Sequence, residues 1–184
     1  MADIKGTVLL DTIAAIRRRA GEEEFHKIVR NLSPDAKAVF ESPINPSNWY
    51  SLDAFVNFLE VDIRETANGV REVLTERSEK VIESQLSGIY KIFVKLGSPG
   101  FVISRIAAVH ATYFRGVQII PEIADRQASI KYVGFKKHQQ IMEYVVIGFF
   151  RKALEISGAK HVTLNFSVPI GEGAALSELT VTWS

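Results

Sequence analysis

The spacing of hydrophobic residues changes near Gly116, and this change limits the folds open to the chain. Before Gly116, apolar residues recur every three or four positions, as they do on one face of an α-helix. After it, short β-branched and aromatic runs alternate with polar residues, as in Leu179, Val181 and Trp183. The sequence therefore predicts an α+β fold, with a helical N-terminal half followed by a ββαββ unit.

Start and stop signals divide the helical half. Arginines 17–19 precede Gly21, and a glutamate run then starts a second helix, which suits the helix dipole at both ends. Ser33, followed by Pro34, is an expected N-cap. The other expected elements are a loop over 41–50, a helix from Ser51 to Gly69, a helix over about 70–96 with a break near Gly88, and a helix after Ser98-Pro99-Gly100 that carries His110.

The second half predicts a four-stranded antiparallel sheet within residues 117–183. The expected strands cover 117–124, 129–135, 161–170 and 176–183, with a helix over 138–157 and a turn containing Gly171-Glu172-Gly173. Pro121 places the first strand at an edge or a bulge. Residues 1–184 are expected to form one domain, with a helical subdomain (1–115) and a ββαββ subdomain (116–184). The expected core includes Ile106, Val109, Tyr144, Phe149 and Trp183.

Composition excludes several classes of function. Lys and Arg number 22 and Asp and Glu 21, so charge gives no reason to expect a nucleic-acid partner. The most apolar stretch, IMEYVVIGFF, is too short to span a bilayer, and the N-terminus has no basic leader, which predicts a cytoplasmic protein. The absence of cysteine removes thiolate metal sites and cysteine nucleophiles. No sequence motif indicates a catalytic triad, and we expect no enzyme activity.

His110 is the residue with the least ordinary setting. It lies in the apolar stretch RIAAVHATYFRG, where Val102, Ile106, Val109 and Tyr113 are expected near its face of the helix. It is either a core histidine that hydrogen-bonds a neighbour or a ligand of something bound. The histidines show no zinc-binding spacing. Tyr132 and Lys136, four residues apart at the end of a predicted strand, could reach one anionic group.

Three segments together resemble the haem nitric-oxide/oxygen-binding (H-NOX) domains. IKGTV near the start is similar to that family's opening MKGTI, and FVISRIAAVH is similar to its segment ending in the haem-ligating histidine. IKYVGFK lies where the family has Y-x-S-x-R, which holds the haem propionates. The resemblance implies that His110 is the axial ligand of haem and that Tyr132 and Lys136 bind the propionates. Gly134 replaces the serine and Lys136 the arginine, so one hydroxyl and one bidentate cation are absent.

The resemblance also implies a function. The expected protein is a non-enzymatic ligand-sensing domain that holds haem or a hydrophobic small molecule in a pocket between its helical and sheet halves. It would signal to a partner protein. The wider superfamily leaves two alternatives open, which are a haem-free dimerising interaction subunit similar to TRAPP components and a 4-vinyl-reductase-type enzyme. The sequence names neither the ligand nor the partner, and a homodimer is a further expectation.

Overall fold

The computed structural model describes residues 2–85, 98–171 and 175–184. The helices are α1 (Gly6–Arg30), α2 (Pro34–Phe40), α3 (Leu52–Ala67), α4 (Val73–Gln85), α5 (Pro99–Tyr113) and α6 (Met142–Ile156). The strands are β1 (Asp3–Lys5), β2 (Trp49–Ser51), β3 (Phe114–Arg115), β4 (Gln118–Ala124), β5 (Gln127–Val133), β6 (Thr163–Val168) and β7 (Ser177–Thr182). The predicted α+β class is confirmed, with a four-stranded antiparallel sheet.

The chain divides into two compact units. The first unit contains residues 1–73 and 112–116, and the second contains residues 74–111 and 117–184. Most of the helix that carries His110 therefore groups with the four-stranded sheet. None of the described helices combines the length and the apolar character that crossing a membrane requires.

The helix boundaries of the first unit follow the capping signals. Gly21 has a φ of 87° inside α1, and this non-helical residue separates the two helices that the sequence predicts on either side of it. The Ser33 hydroxyl accepts a hydrogen bond from the backbone N–H of Ala36, and the Ser51 hydroxyl accepts one from Ala54. The predicted N-cap Ser33 and the predicted helix start at Ser51 are confirmed.

A three-stranded sheet in the first unit has no counterpart in the sequence prediction. Its order is β2-β1-β3, and β2 lies at the end of the segment predicted as a loop. Ile4 of β1 pairs with Tyr50 on one side and Phe114 on the other, and it is fully buried. Strands of two or three residues are too short to show alternation, so their sequence carries no strand signal.

The core of the first unit is densely packed. Phe40 and Phe58 stack nearly parallel, with ring centroids 4.1 Å apart. The guanidinium of Arg19 lies 2.8 Å from the carboxylate of Asp62, which is 2% exposed. This pairing fixes α1 against α3, because a buried carboxylate without its cation would be costly.

The sheet of the second unit has the order β4-β5-β7-β6, with every neighbouring pair antiparallel. Its buried face is built by alternate residues, among them Ile130, Tyr132, Leu179 and Val181. The opposite face is polar, and there Lys131 forms an ion pair of 2.6 Å with Glu122. Pro121 lies in edge strand β4 as predicted, with continuous pairing to β5 rather than a bulge.

Helix α6 begins later than predicted, because a short 3₁₀ helix covers Lys137–Gln139 before it. Helix α4 packs against it at Gly148, where a Cβ would overlap the carbonyl oxygen of Thr75. Two ion pairs join the same helices, Arg151 to Glu79 at 2.9 Å and Lys152 to Glu83 at 3.0 Å. The predicted continuation of α4 over 86–97, including the break near Gly88, lies outside the described residues, as do 172–174 of the predicted turn.

The predicted core of the second unit is correct only in part. Ile106 is buried, but Val109 is 40% exposed, so its prediction was wrong. Tyr144, Phe149 and Trp183 are half-buried, and in α6 the fully packed phenylalanine is Phe150. Adjacent positions on a helix differ by about 100°, so an error of one residue in the assigned face exchanges Phe149 for Phe150.

Candidate functional site

Helix α5 positions His110 on its inward stripe. Ile103 and Ile106 are the two buried residues of this helix. His110 lies seven positions after Ile103 and four after Ile106, so the three side chains share one face. His110 itself is half-buried. Helical spacing predicts Val109 near the same face, but Val109 lies to one side, toward solvent. The stripe therefore runs through Ile103, Ile106 and His110.

The structure brings His110 into contact with Tyr132. Their ring centroids are 6.4 Å apart, and the planes meet at 70°, an edge-to-face arrangement. Tyr132 lies on β5, an inner strand of the four-stranded sheet, and it is 1% exposed. Residues 22 positions apart in the sequence, on a helix and a strand, thus meet within the second unit.

Two phenylalanines complete an aromatic cluster around Tyr132. The ring of Phe135 lies 5.7 Å from that of Tyr132, and the ring of Phe166 lies 6.2 Å from it. Sequence reasoning missed both residues. The strand alternation of β6 could have identified Phe166, because it pairs with buried Leu179 on the neighbouring strand.

Burial determines the protonation of the two polar rings. It lowers the pKa of His110 from 6.5 to about 4, since desolvation disfavours the imidazolium. It also raises the pKa of Tyr132 well above its ordinary value, since the phenolate would lose its solvation. At neutral pH the site therefore holds a neutral imidazole, which can donate a lone pair, and a neutral phenol, which can donate a hydrogen bond.

The segment after β5 contains Gly134, which stands where the similar H-NOX motif Y-x-S-x-R has its serine. The same segment leaves Lys136 at the surface. Gly134 has a φ of 112°, a conformation that a serine would adopt only with strain. Lys136 is exposed, and its backbone N–H donates a hydrogen bond of 2.8 Å to the side-chain oxygen of buried Gln139. The structure therefore brings His110 and Tyr132 together and leaves Lys136 outside the ring cluster.

The residues present fit the axial requirement of haem better than they fit a metal ion held by protein alone. Within the described ranges, no group of three or more acidic or histidine side chains could hold a metal ion. A single neutral imidazole in apolar surroundings matches the axial donor of a haem iron. The buried phenol of Tyr132 is a hydrogen-bond donor for an anionic group, whereas the cation of Lys136 lies at the solvent side.

Comparison with known proteins identifies the fold. No protein-family model and no curated protein matches the sequence. Solved H-NOX structures match along nearly the whole chain. An H-NOX protein from S. oneidensis in the Fe(II)NO state has a TM-score of 0.74 at 10% identity, covering 98% of this chain and 99% of that one. The unliganded Fe(II) H-NOX protein from K. algicida has a TM-score of 0.75 at 13% identity, covering 98% and 97%.

An oxygen-binding H-NOX domain related to soluble guanylate cyclases is also similar, with a TM-score of 0.68 at 15% identity over 98% of this chain and 95% of that one. The chain therefore has the H-NOX-like fold that its three short sequence segments indicate. At these identities the likeness concerns the fold, and the chemistry of the site depends on this chain's own residues.

Proposed function

We propose that this chain is a non-enzymatic ligand-sensing domain that holds haem, or another hydrophobic small molecule, against His110. The observation that supports the proposal most strongly is the contact of His110 with Tyr132. A helix and a strand together present a neutral imidazole beside a buried aromatic cluster.

Each site residue has a distinct role in this proposal. His110 would hold the group through a ring nitrogen, because burial keeps the imidazole neutral near pH 7. Tyr132 donates a hydrogen bond from its phenol to a carboxylate of the ligand, and Lys136 adds a cation where such a carboxylate reaches solvent. A lysine pairs with a carboxylate as a point charge, so its ion pair is weaker than the bidentate ion pair of an arginine.

When bound, haem would supply an iron centre for a diatomic gas, such as the nitric oxide and oxygen of the similar H-NOX structures. The residues of this chain decide how the ligand is held. Ligand binding would shift the population of two conformations of the domain, and a partner protein would respond to that shift. A ligand shifts such an equilibrium only by its difference in affinity for the two states.

A haem-free interaction subunit is the second candidate. The observations that favour it are the missing serine and arginine of the propionate motif and the exposure of apolar residues on α5. Phe101 and Val109 are 45% and 40% exposed on the helix that carries His110. In that case His110 is a buried structural histidine, and α5 serves protein contacts alone.

Haem uptake separates the two candidates. Purified protein is titrated with haem, and the Soret absorption band is recorded for wild type, His110→Ala and His26→Ala. His26 is an exposed histidine of the first unit and serves as the matched control. The sensing proposal expects a Soret band for wild type and His26→Ala that His110→Ala loses. A wild-type protein that takes up no haem removes haem as the ligand and favours the interaction subunit.

A further inference from the structure

Exposed hydrophobic side chains concentrate on two elements of the second unit. Among the described residues, five large hydrophobic side chains are exposed, and four of them lie on α5 and β4: Phe101, Val109, Ile120 and Ile123. The two elements are neighbours, because a Cβ at Gly100 would lie 3.9 Å from the Cγ2 of Ile123. Ile120 pairs with Lys131 and faces the opposite side of the sheet, so the group that adjoins α5 is Phe101, Val109 and Ile123. Single exposed hydrophobic residues are ordinary, but a group on adjoining elements is typical of an interaction surface.

The outward side of α5 forms a regular ridge. Phe101, Arg105 and Val109 are spaced four residues apart, so their side chains form one row, here named the α5 outer ridge. All three are exposed. The guanidinium of Arg105 lies 5.3 Å from the ring centroid of Phe101, within the range of a cation–π contact.

We propose that the α5 outer ridge docks an amphipathic helix of a separate protein. The partner helix packs apolar side chains against Phe101 and Val109 and places a carboxylate beside Arg105. Rows of side chains spaced by four fit the grooves of another helix, which is the commonest way in which helices pack. The expected partner is therefore a helix with an apolar face and an acidic residue in its middle.

The neighbouring strand argues against a partner strand. β4 is an edge strand, and an edge can in general add a strand from another chain. Pro121 at the centre of β4 has no N–H to donate, which weakens continuous pairing along this edge. Ile123, on the face of β4 that adjoins α5, is thus available to extend the apolar contact, while helix α5 supplies the ordered row.

The position of Arg105 argues against a second copy of this chain. Arg105 is the centre of the ridge, so two copies packed antiparallel along it would place the two guanidinium groups together. Among the described residues no carboxylate forms an ion pair with Arg105, and its guanidinium lies over the ring of Phe101. Like charges at the centre of an interface disfavour that pairing, whereas a partner carboxylate would neutralise Arg105.

The proposed docking surface adds the chemistry of the partner to the proposed function. It rests on that function only for the statement that the partner receives a signal. Docking itself is tested with ligand-free protein. Failure of haem uptake and failure of docking are therefore separate results.

The test uses two fluorescent synthetic peptides with the same Leu/Ala helical face and either Glu or Lys at the central flanking position. Binding to the full chain is measured by fluorescence anisotropy. Wild type should bind the Glu peptide, and the double change Phe101→Ala with Val109→Ala should weaken binding by at least about tenfold. Arg105→Glu should lose the Glu peptide and gain the Lys peptide. Val70→Ala, which changes an exposed hydrophobic residue of the first unit, should bind like wild type.

Three results would overturn the proposal. They are equal binding of both peptides, no binding of either, and binding that the ridge substitutions leave unchanged. A second copy as the occupant would instead appear in sedimentation as a dimer that Phe101→Ala dissociates. Circular dichroism of each variant checks that the fold is intact, and substitution of exposed residues should leave it so.

Discussion

Helices α3 and α5 have nearly equal length, but α3 is largely buried and α5 is largely exposed. α3, in the first unit, buries nine of its sixteen residues, although it carries five charged side chains. α5, most of which belongs to the second unit, has Arg105 as its one permanently charged side chain, yet of its fifteen residues only Ile103 and Ile106 are buried. Apolar composition therefore does not predict burial here. The first unit buries the apolar face of its helix in a core, and the second leaves much of its apolar helix exposed.

The largest test of this contrast compares two phenylalanines. Phe58 is fully buried and stacks on Phe40, so Phe58→Ala should lower the free energy of unfolding by about 3–5 kcal/mol. Phe101 is 45% exposed, so Phe101→Ala should change it by less than about 0.5 kcal/mol. Urea denaturation followed by circular dichroism measures both. Similar losses for the two variants would show that α5 is as much a core helix as α3.

The protonation of His110 should make the stability of the protein depend on pH. Its pKa is lowered from 6.5 to about 4 in the folded chain, so between these pH values the unfolded chain binds a proton that the folded chain does not. The free energy of unfolding should therefore fall as pH decreases through this window, by on the order of 2–3 kcal/mol once it is complete.

Carboxylates titrate in the same pH range, so the contribution of His110 is obtained as a difference. The pH profile of wild type minus that of His110→Gln should slope between pH 6.5 and 4 and be flat above it. Parallel profiles for the two proteins would mean that His110 is solvated. Its imidazole would then not be buried in the second unit, and its pKa would not be lowered.

A smaller effect is expected at the contact of α4 with α6. Gly148→Ala places a methyl group against the backbone of Thr75, which cannot move as the end of a side chain would. The free energy of unfolding should therefore fall by about 1–3 kcal/mol. Gly100→Ala is the matched control, because its methyl group would meet Ile123 at an ordinary 3.9 Å. Thermal unfolding of both variants measures the difference. A Gly148→Ala protein as stable as wild type would indicate a looser α4–α6 contact.

The sequence predicts the larger elements because their signals are local. Ser33, Ser51 and Gly21 mark helix boundaries, and alternation in the last segment marks β7. The small sheet of β1, β2 and β3 is held by pairings between distant segments, so no local pattern reveals it. Val109 and Phe149 were assigned to the core because periodicity gives an apolar face but not its edges.

The candidate site shows the same limit. Spacing alone left His110 between a core role and a binding role, and it made Tyr132 and Lys136 candidates for binding one anionic group. The resemblance to H-NOX segments implied haem as the ligand of all three. Contact between His110 and Tyr132 depends on how α5 meets β5, which is tertiary structure. Phe135 and Phe166 join the cluster for the same reason, and the exposure of Lys136 follows from the turn at Gly134 and the backbone bond to Gln139.

Chemical replacement of the His110 ring tests the proposal that this imidazole binds a ligand held in the second unit. His110→Gly is reconstituted with haem in the absence and presence of free imidazole, and the visible spectrum is compared with that of reconstituted wild type. We expect His110→Gly alone to lack the wild-type Soret band and to recover it when free imidazole fills the vacated position. A spectrum of His110→Gly that equals that of wild type without imidazole would show that His110 does not bind the ligand.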